Sequence, residues 1–489
     1  MTPHAYNMRL GRIALSVAIL VVLGVSFSDE VLSQIGRSGA RNPGVRPGAA
    51  FGSGQTGGFA ASDPGVRPGA ASAGSMLPDL SGLEQQLFAV GQDAFEEVES
   101  VQGTVPDTDD GLGPRFNLDS CAGCHAHPDI GGSSPFDNPQ IEVARKEGAS
   151  NEIPPFITAD GPIREARFKY NPDGTPDGGV HALFTITGRS DAPGCVIQQP
   201  DFRTALARRN VVFRIPTPLF GTGLIEAIDD TAILANLNTN LANKQSLGIR
   251  GRPNRTPSGH PNNSGNDGTV TRFGWKAQNK SLEMFSGEAY NVEQGITNDL
   301  FPQERDETPG CLFNATPEST TKFDAAIPLD VPSDVVKFAV FMRFLAPPTP
   351  APENDSIVRG RKLFGDVGCA MCHTPTLHTG NSAVRALRGK DVNLYSDLVL
   401  HNMGLGLADD ISQGNAAGDE FRTAPLWGLG KRVFFLHDGR TKDLNEAIQA
   451  HAGSGGRQYH PSEANQVVAQ FNRLNEIDKQ HVLNFLRAL

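Results

Sequence analysis

Two pentads of one pattern stand out in the chain, Cys-Ala-Gly-Cys-His at Cys121 to His125 and Cys-Ala-Met-Cys-His at Cys369 to His373. Two thiols three positions apart can form thioethers to the two vinyl groups of one haem, while the adjacent imidazole reaches the iron as proximal ligand. Zinc wants a closed set of four ligands, and a redox dithiol does not need the following histidine, so both fit the pentads less well. On this reading Cys121, Cys124 and His125 hold one covalent c-type haem, and Cys369, Cys372 and His373 hold a second. The remaining cysteines, Cys195 and Cys311, end the similar contexts DAPGC and DETPGC. Spare cysteines in an oxidising compartment usually pair, which predicts a disulfide across the first half, with a free or redox-active thiol as the alternative.

The elements that must carry these residues read as mainly α, in two cytochrome c-like haem domains with long loops and insertions. Leu83, Leu87, Val90, Ala94 and Val98 recur at helical spacing before the first pentad. Ser333 to Leu345 predicts a helix with Phe338, Phe341, Met342 and Leu345 on one face, stopped by Pro347 and Pro348. Ile357 to Phe364 leads as a short helix into the second pentad, and Val482, Phe485, Leu486 and Leu489 close the chain at helical spacing. The first haem domain is expected over 79–346 and the second over 355–489. The proline-rich stretch 347–354 is the linker between them.

Upstream, Arg9 and Arg12 precede an apolar run from Ile13 to Val25, and small residues follow at Ser26 and Ser28, which reads as a secretory signal peptide over 1–28. At ~1.5 Å per residue the run spans about 20 Å, short of the ~30 Å hydrocarbon core. Membrane contact is therefore expected only through this segment, if it is retained, and the mature protein is expected to be periplasmic. Residues 29–78 repeat PGVRPGAA at Pro43 to Ala50 and Pro64 to Ala71, with few apolar side chains to offset ordering entropy, and read as a flexible tether. The whole chain has 489 residues and a formal charge of −11, which excludes a strongly basic nucleic-acid binder and permits a basic redox partner.

The two halves also share a second motif. Phe213 to Gly223 reads FRIPTPLFGTG and Phe421 to Gly430 reads FRTAPLWGLG, each downstream of a pentad. If the halves are copies, the segment around His451 and the segment from Glu288 to Glu293 each face the open side of their own haem.

The order of pentad, tryptophan-bearing segment with a downstream glutamate, second pentad, FRTAPLW and HDGRTKDL resembles the bacterial dihaem cytochrome c peroxidases and MauG. It is more similar still to the di-haem oxidoreductase family, through CAGCHAHPDIGGSSP, GRSDAPGC, SGNDGTVTRFGWKAQNKSL, GLADDISQG and DEFRTAPLWGLGKRVFFLHDGRT. The resemblance covers nearly everything from Asp79 to Leu489. It puts the methionine axial ligand of the peroxidases on His451, which implies a second haem held by His373 and His451 and a lower potential than a methionine would give. His401 and Met403 are the competing ligands. A histidine that caps the first haem in the peroxidases has no counterpart here, since none lies between His127 and His181 and His127 is too close to His125. The first iron is therefore expected to be open to peroxide or oxygen. The distal glutamate of the family falls on Glu293, as acid-base group, with Glu288 as runner-up. The inter-haem tryptophan position falls on Phe273, with Trp275 two residues on as the candidate electron relay, while Trp427 reads as core. Relatives of the peroxidase type also bind calcium, and the resemblance extends a candidate calcium to this chain without a legible ligand set.

The resemblance implies peroxide reduction with electrons from a small redox protein, a cytochrome c or a cupredoxin. The alternatives are oxidation of an organic or protein substrate, as in MauG or the dihaem rubber oxygenases, and a non-catalytic electron-transfer dihaem cytochrome.

Overall fold

The computed structural model describes residues 60–146, 149–255, 270–306 and 308–489. Residues 1–28, read as a signal peptide, lie outside the described residues, as does the tether up to residue 59. Among the described residues no helix is long and apolar enough to cross a membrane. The expectation of a mainly helical chain holds in part: helices make up 32% and the sheets are small, so loops and turns form most of the path.

In each half a helix that leads toward the pentad crosses the last helix of that half at a glycine. Helix α1 (Gly82–Glu96) opens with a capping box, in which Ser81 accepts from the Glu84 N–H and Glu84 accepts from the Ser81 N–H. It packs on α2 (Asp334–Phe344), where a Cβ on Gly91 would lie 2.5 Å from the Lys337 carbonyl oxygen. Helix α3 (Asp355–Asp366), capped by Asn354, packs in the same way on α4 (Glu476–Ala488), where a Cβ on Gly360 would lie 1.9 Å from the His481 carbonyl oxygen. Aromatic pairs fill both crossings, Phe95 with Phe341 at 4.9 Å and Phe364 with Phe485 at 5.4 Å.

The buried face of α1 differs from the periodicity reading. Phe88, Gly91, Ala94 and Phe95 are buried, whereas Leu83 is 61% exposed. The close approach at Gly91 decides which face turns inward, and a pattern of apolar residues that passes over glycine misses it.

Residues 60–78 depart from the expected tether. Asp63 forms a buried ion pair with Arg487 at 2.7 Å, and the Arg67 N–H donates to the Gly430 carbonyl. Leu77 donates to Phe344 at 2.7 Å, and Lys431 donates to the carbonyls of Pro68 and Gly69. The segment has few apolar side chains, yet Leu77 enters the main core and polar contacts strap the rest across both halves. It also covers the expected linker, where Thr349 donates to Ser72 and Ala351 to Ala488, and residues 60–489 belong to one compact unit.

The first half carries a three-stranded antiparallel sheet, with β1 (Glu165–Phe168) between β2 (Val180–His181) and β3 (Val211–Arg214). Glu165 pairs with Arg214 and Arg167 with Val212. Alternate residues of a strand share a face, so Glu165 and Arg167 point the same way. In the second half β4 (Leu400–Asn402) pairs with β5 (Glu420–Arg422). Cys195 and Cys311 are joined by a disulfide within the first half's second core, as their spare status predicts.

Candidate haem sites

Each pentad opens onto its own cavity. In the first, Cys121 to Cys124 form one helical turn, α5, that ends at His125. His125 is buried and its Nδ1 lies 3.0 Å from the Gly132 carbonyl oxygen. In the second, His373 Nδ1 lies 2.9 Å from the Tyr395 carbonyl oxygen. An Nδ1–H bonded to a carbonyl fixes the ring tautomer and leaves Nε2 as the ligating atom. Burial pulls both imidazoles down to about 4, with a nearby His451 adding to the effect at His373, so both are neutral at physiological pH.

The first cavity admits the centres of water molecules over about 110 Å³. Helix α6 (Leu282–Gln294) forms one wall, started by the Ser281 cap and ended by Gly295 in the left-handed region at φ 72°. Glu293 lies on this helix and lines the cavity together with Cys121, Cys124 and His125. Burial, then Glu165 and Glu288, push its carboxyl up to about 8, against a smaller opposing pull from Arg167. It therefore carries its proton near neutral pH. Glu288 does not line this cavity and accepts from the Asn279 amide instead. His127 is directed elsewhere, with its Nε2 2.7 Å from the Lys431 carbonyl oxygen.

The sheet supplies the charged wall of this cavity through Glu165, Arg167 and Arg214, with Arg164 beside them. Motif reading did not find this wall. One signal was available, because Arg214 and Arg422 occupy equivalent places in the duplicated FRIPTPL and FRTAPL motifs, and each lines the cavity of its own half.

The second cavity is larger, about 220 Å³ on the same measure, and mostly apolar. Helix α7 (Leu444–Ala450) is capped by Asp443, whose side chain accepts from the Glu446 N–H at 2.9 Å, and it delivers His451 to the cavity at its C-terminus. His451 Nδ1 lies 2.7 Å from the Ala447 carbonyl oxygen, the arrangement seen at His373. His401 also lines this cavity, but its Nε2 lies 3.0 Å from Asp397 and its Nδ1 2.7 Å from Glu463. Both its ring nitrogens are taken, which removes it as a competing ligand. Met403 shares the cavity wall.

Trp275 lines both cavities and the small crevice between them. It is 8% exposed, and its Nε1–H donates to the Ile215 carbonyl at 2.9 Å. Phe273 borders only the crevice, and Trp427 belongs to the main hydrophobic core.

The residues present fit a c-type haem in each cavity: two unpaired thiols, an imidazole with Nε2 available, apolar walls, and buried guanidinium groups able to meet haem carboxylates. The model of the family described as di-haem oxidoreductase, putative peroxidase, matches residues 164–489. The chain belongs to this family. The matched stretch holds the second pentad, Glu293 and His451, and begins after the first pentad. No curated protein matches the chain.

Solved structures similar to this chain include a MauG-like protein associated with microbial copper homeostasis, at 19% identity and a TM-score of 0.25, over 34% of this chain and 55% of that one. The diheme peroxidase BthA from Burkholderia thailandensis matches at 14% identity and a TM-score of 0.27, over 45% and 65%. Hydrazine synthase from Kuenenia stuttgartiensis matches at 13% identity and 0.34, over 91% and 100%. The chain thus spans about half the length of the MauG-like protein. For calcium, the only group of three candidate ligands within 4.8 Å among the described residues is Cys372, Asp397 and His401. Calcium prefers an all-oxygen set, which this is not.

Proposed function

We propose that the protein is an exported c-type dihaem oxidoreductase, built from two cytochrome c-like halves, that reduces hydrogen peroxide with electrons from a small redox protein. The observation that carries the reading is that Glu293 lines the same cavity as Cys121, Cys124 and His125, with its carboxyl pushed up to about 8, where it can both take up and release a proton close to neutral pH. The repeated crossing of helices at Gly91 and Gly360 supports the two-half architecture.

Cys121 and Cys124 would hold one haem and His125 its iron; Cys369 and Cys372 would hold the other, and His373 and His451 its iron. Haem supplies, when bound, a site for peroxide and a store for electrons that side chains cannot provide. The chain supplies the rest. Reduction of one peroxide to two waters consumes two protons and two electrons, and Glu293 is placed to accept a proton from the entering peroxide and return it to the departing oxygen. The guanidinium of Arg167, on the facing sheet, offers positive charge where negative charge develops on that oxygen. Trp275, buried between the cavities, is placed to couple them electronically.

The test is steady-state turnover of peroxide by the purified protein with a reduced cytochrome c or cupredoxin, alongside a pyridine haemochrome count. Two thioether-linked haems with peroxide-dependent oxidation of the donor are expected. Two haems with no such oxidation would sink the peroxidase reading.

A further inference from the structure

Four deeply buried cations each meet an aspartate: Arg214 and Lys276 share Asp409 at 2.7 and 3.0 Å, Arg272 meets Asp230, and Arg487 meets Asp63. Arg422 and Arg432 break this pattern. Arg422 ends β5 and donates from Nε to the Gly274 carbonyl at 3.1 Å and from Nη1 to the Thr423 carbonyl at 3.4 Å. Arg432 is 9% exposed, and among the described residues its guanidinium has no hydrogen-bond or ion-pair partner. Both groups line the second cavity and the crevice that joins it to the first. Burial lowers both to about 10, and at Arg422 the charge of Arg432 adds to the effect, so the two cations sense each other and stay charged at neutral pH.

Two neighbouring buried cations without an anion are costly, and a fold that keeps them requires a counter-charge from elsewhere. Carboxylates suit guanidinium in number and shape, since the planar fork of donors can grip both oxygens. The first half shows what a protein carboxylate does there, because Arg214, at the place equivalent to Arg422, is already neutralised by Asp409.

We infer that Arg422 and Arg432 clamp the carboxylate (propionate) side chains of the haem in the second cavity. The inference rests on the two-haem reading above and deepens it. The Arg422 N–H also donates to the Trp275 carbonyl at 2.9 Å, so the clamp and the proposed relay are tied through one backbone bond.

The test uses the full-length holoprotein and its Arg422→Gln and Arg432→Gln variants, with Arg422→Lys and Arg432→Lys as charge-preserving partners. Resonance Raman spectroscopy reads the propionate bending modes, and spectroelectrochemistry reads the potential of each haem. In the glutamine variants the propionate band is expected to shift and the low-spin haem to become harder to reduce, because lost positive charge favours the ferric state. The lysine variants should recover the potential. Unchanged propionate bands and potentials in both glutamine variants, with two haems still attached, would overturn the clamp and leave the two-haem reading standing. Wild-type protein without two thioether-linked haems would overturn both.

Discussion

His373 and His451 line one cavity and commit the same ring atom to the backbone, Nδ1 to Tyr395 at 2.9 Å and Nδ1 to Ala447 at 2.7 Å. Each ring thereby offers Nε2, and the proximity of His451 helps to keep His373 neutral. On the proposed reading this pair would hold one iron between two imidazoles. His451→Ala is expected to lose the low-spin ferric signal of one haem in low-temperature electron paramagnetic resonance. His451→Met should retain a low-spin haem at a higher potential. A low-spin signal that survives in the alanine variant, with a methionine charge-transfer band in the near infrared, would give the position to Met403 instead.

Glu293 is held up to about 8 chiefly by burial, so the fraction able to accept the proton of peroxide grows as the pH approaches that value. The peroxide kcat/KM of the wild type should therefore rise with pH and level off above about 8, since kcat/KM reports the free enzyme. Glu293→Gln should keep both haems, lose roughly 10²- to 10⁴-fold in turnover and show a flat profile over the same range. A Glu288→Gln variant, altered outside the cavity, should retain the rise.

The residues proposed to attach haem were legible because covalent chemistry demands a fixed local spacing, and a pentad carries its own context. His451 and Glu293 required more, the equivalence of the two halves for their segments and the family resemblance for the residues themselves, and each lines the cavity of its own half. What stayed illegible depends on contacts between residues far apart in sequence. Leu83 looked like core and is exposed, since the depth of the α1 crossing is set by the carbonyl of Lys337 meeting Gly91. Asp63 looked like part of a tether, since nothing local reveals that Arg487 waits 424 residues away. The arginines at 422 and 432 gave no sign in sequence that they would be buried without a carboxylate.

Trp275 is shared by both cavities and held by one hydrogen bond from Nε1 to Ile215. Trp275→Phe removes that bond, at a cost of about 1 kcal/mol, and leaves an aromatic ring of similar shape. Both haems should keep their wild-type spectra, while oxidation of the second haem after mixing the half-reduced protein with peroxide slows in stopped-flow traces. If transfer is as fast as in the wild type, the electronic route bypasses the indole and Trp275 is a packing residue.

The strap over residues 60–78 makes stability depend on an ion pair at the chain's two ends. Burial alone would raise the Asp63 carboxyl, but Arg487 and the N–H groups of Gly65 and Leu444 outweigh it and hold it below the usual range. A depressed carboxyl contributes stability that is present above its unfolded value of about 3.9 and lost as the pH falls through its folded one. Asp63→Asn leaves the Arg487 charge buried without its anion, which should cost about 3 kcal/mol at pH 7. The gap in melting temperature between wild type and variant should then close on acidification. Equal melting temperatures at pH 7 would mean that the strap rests on the protein without helping to hold its halves together.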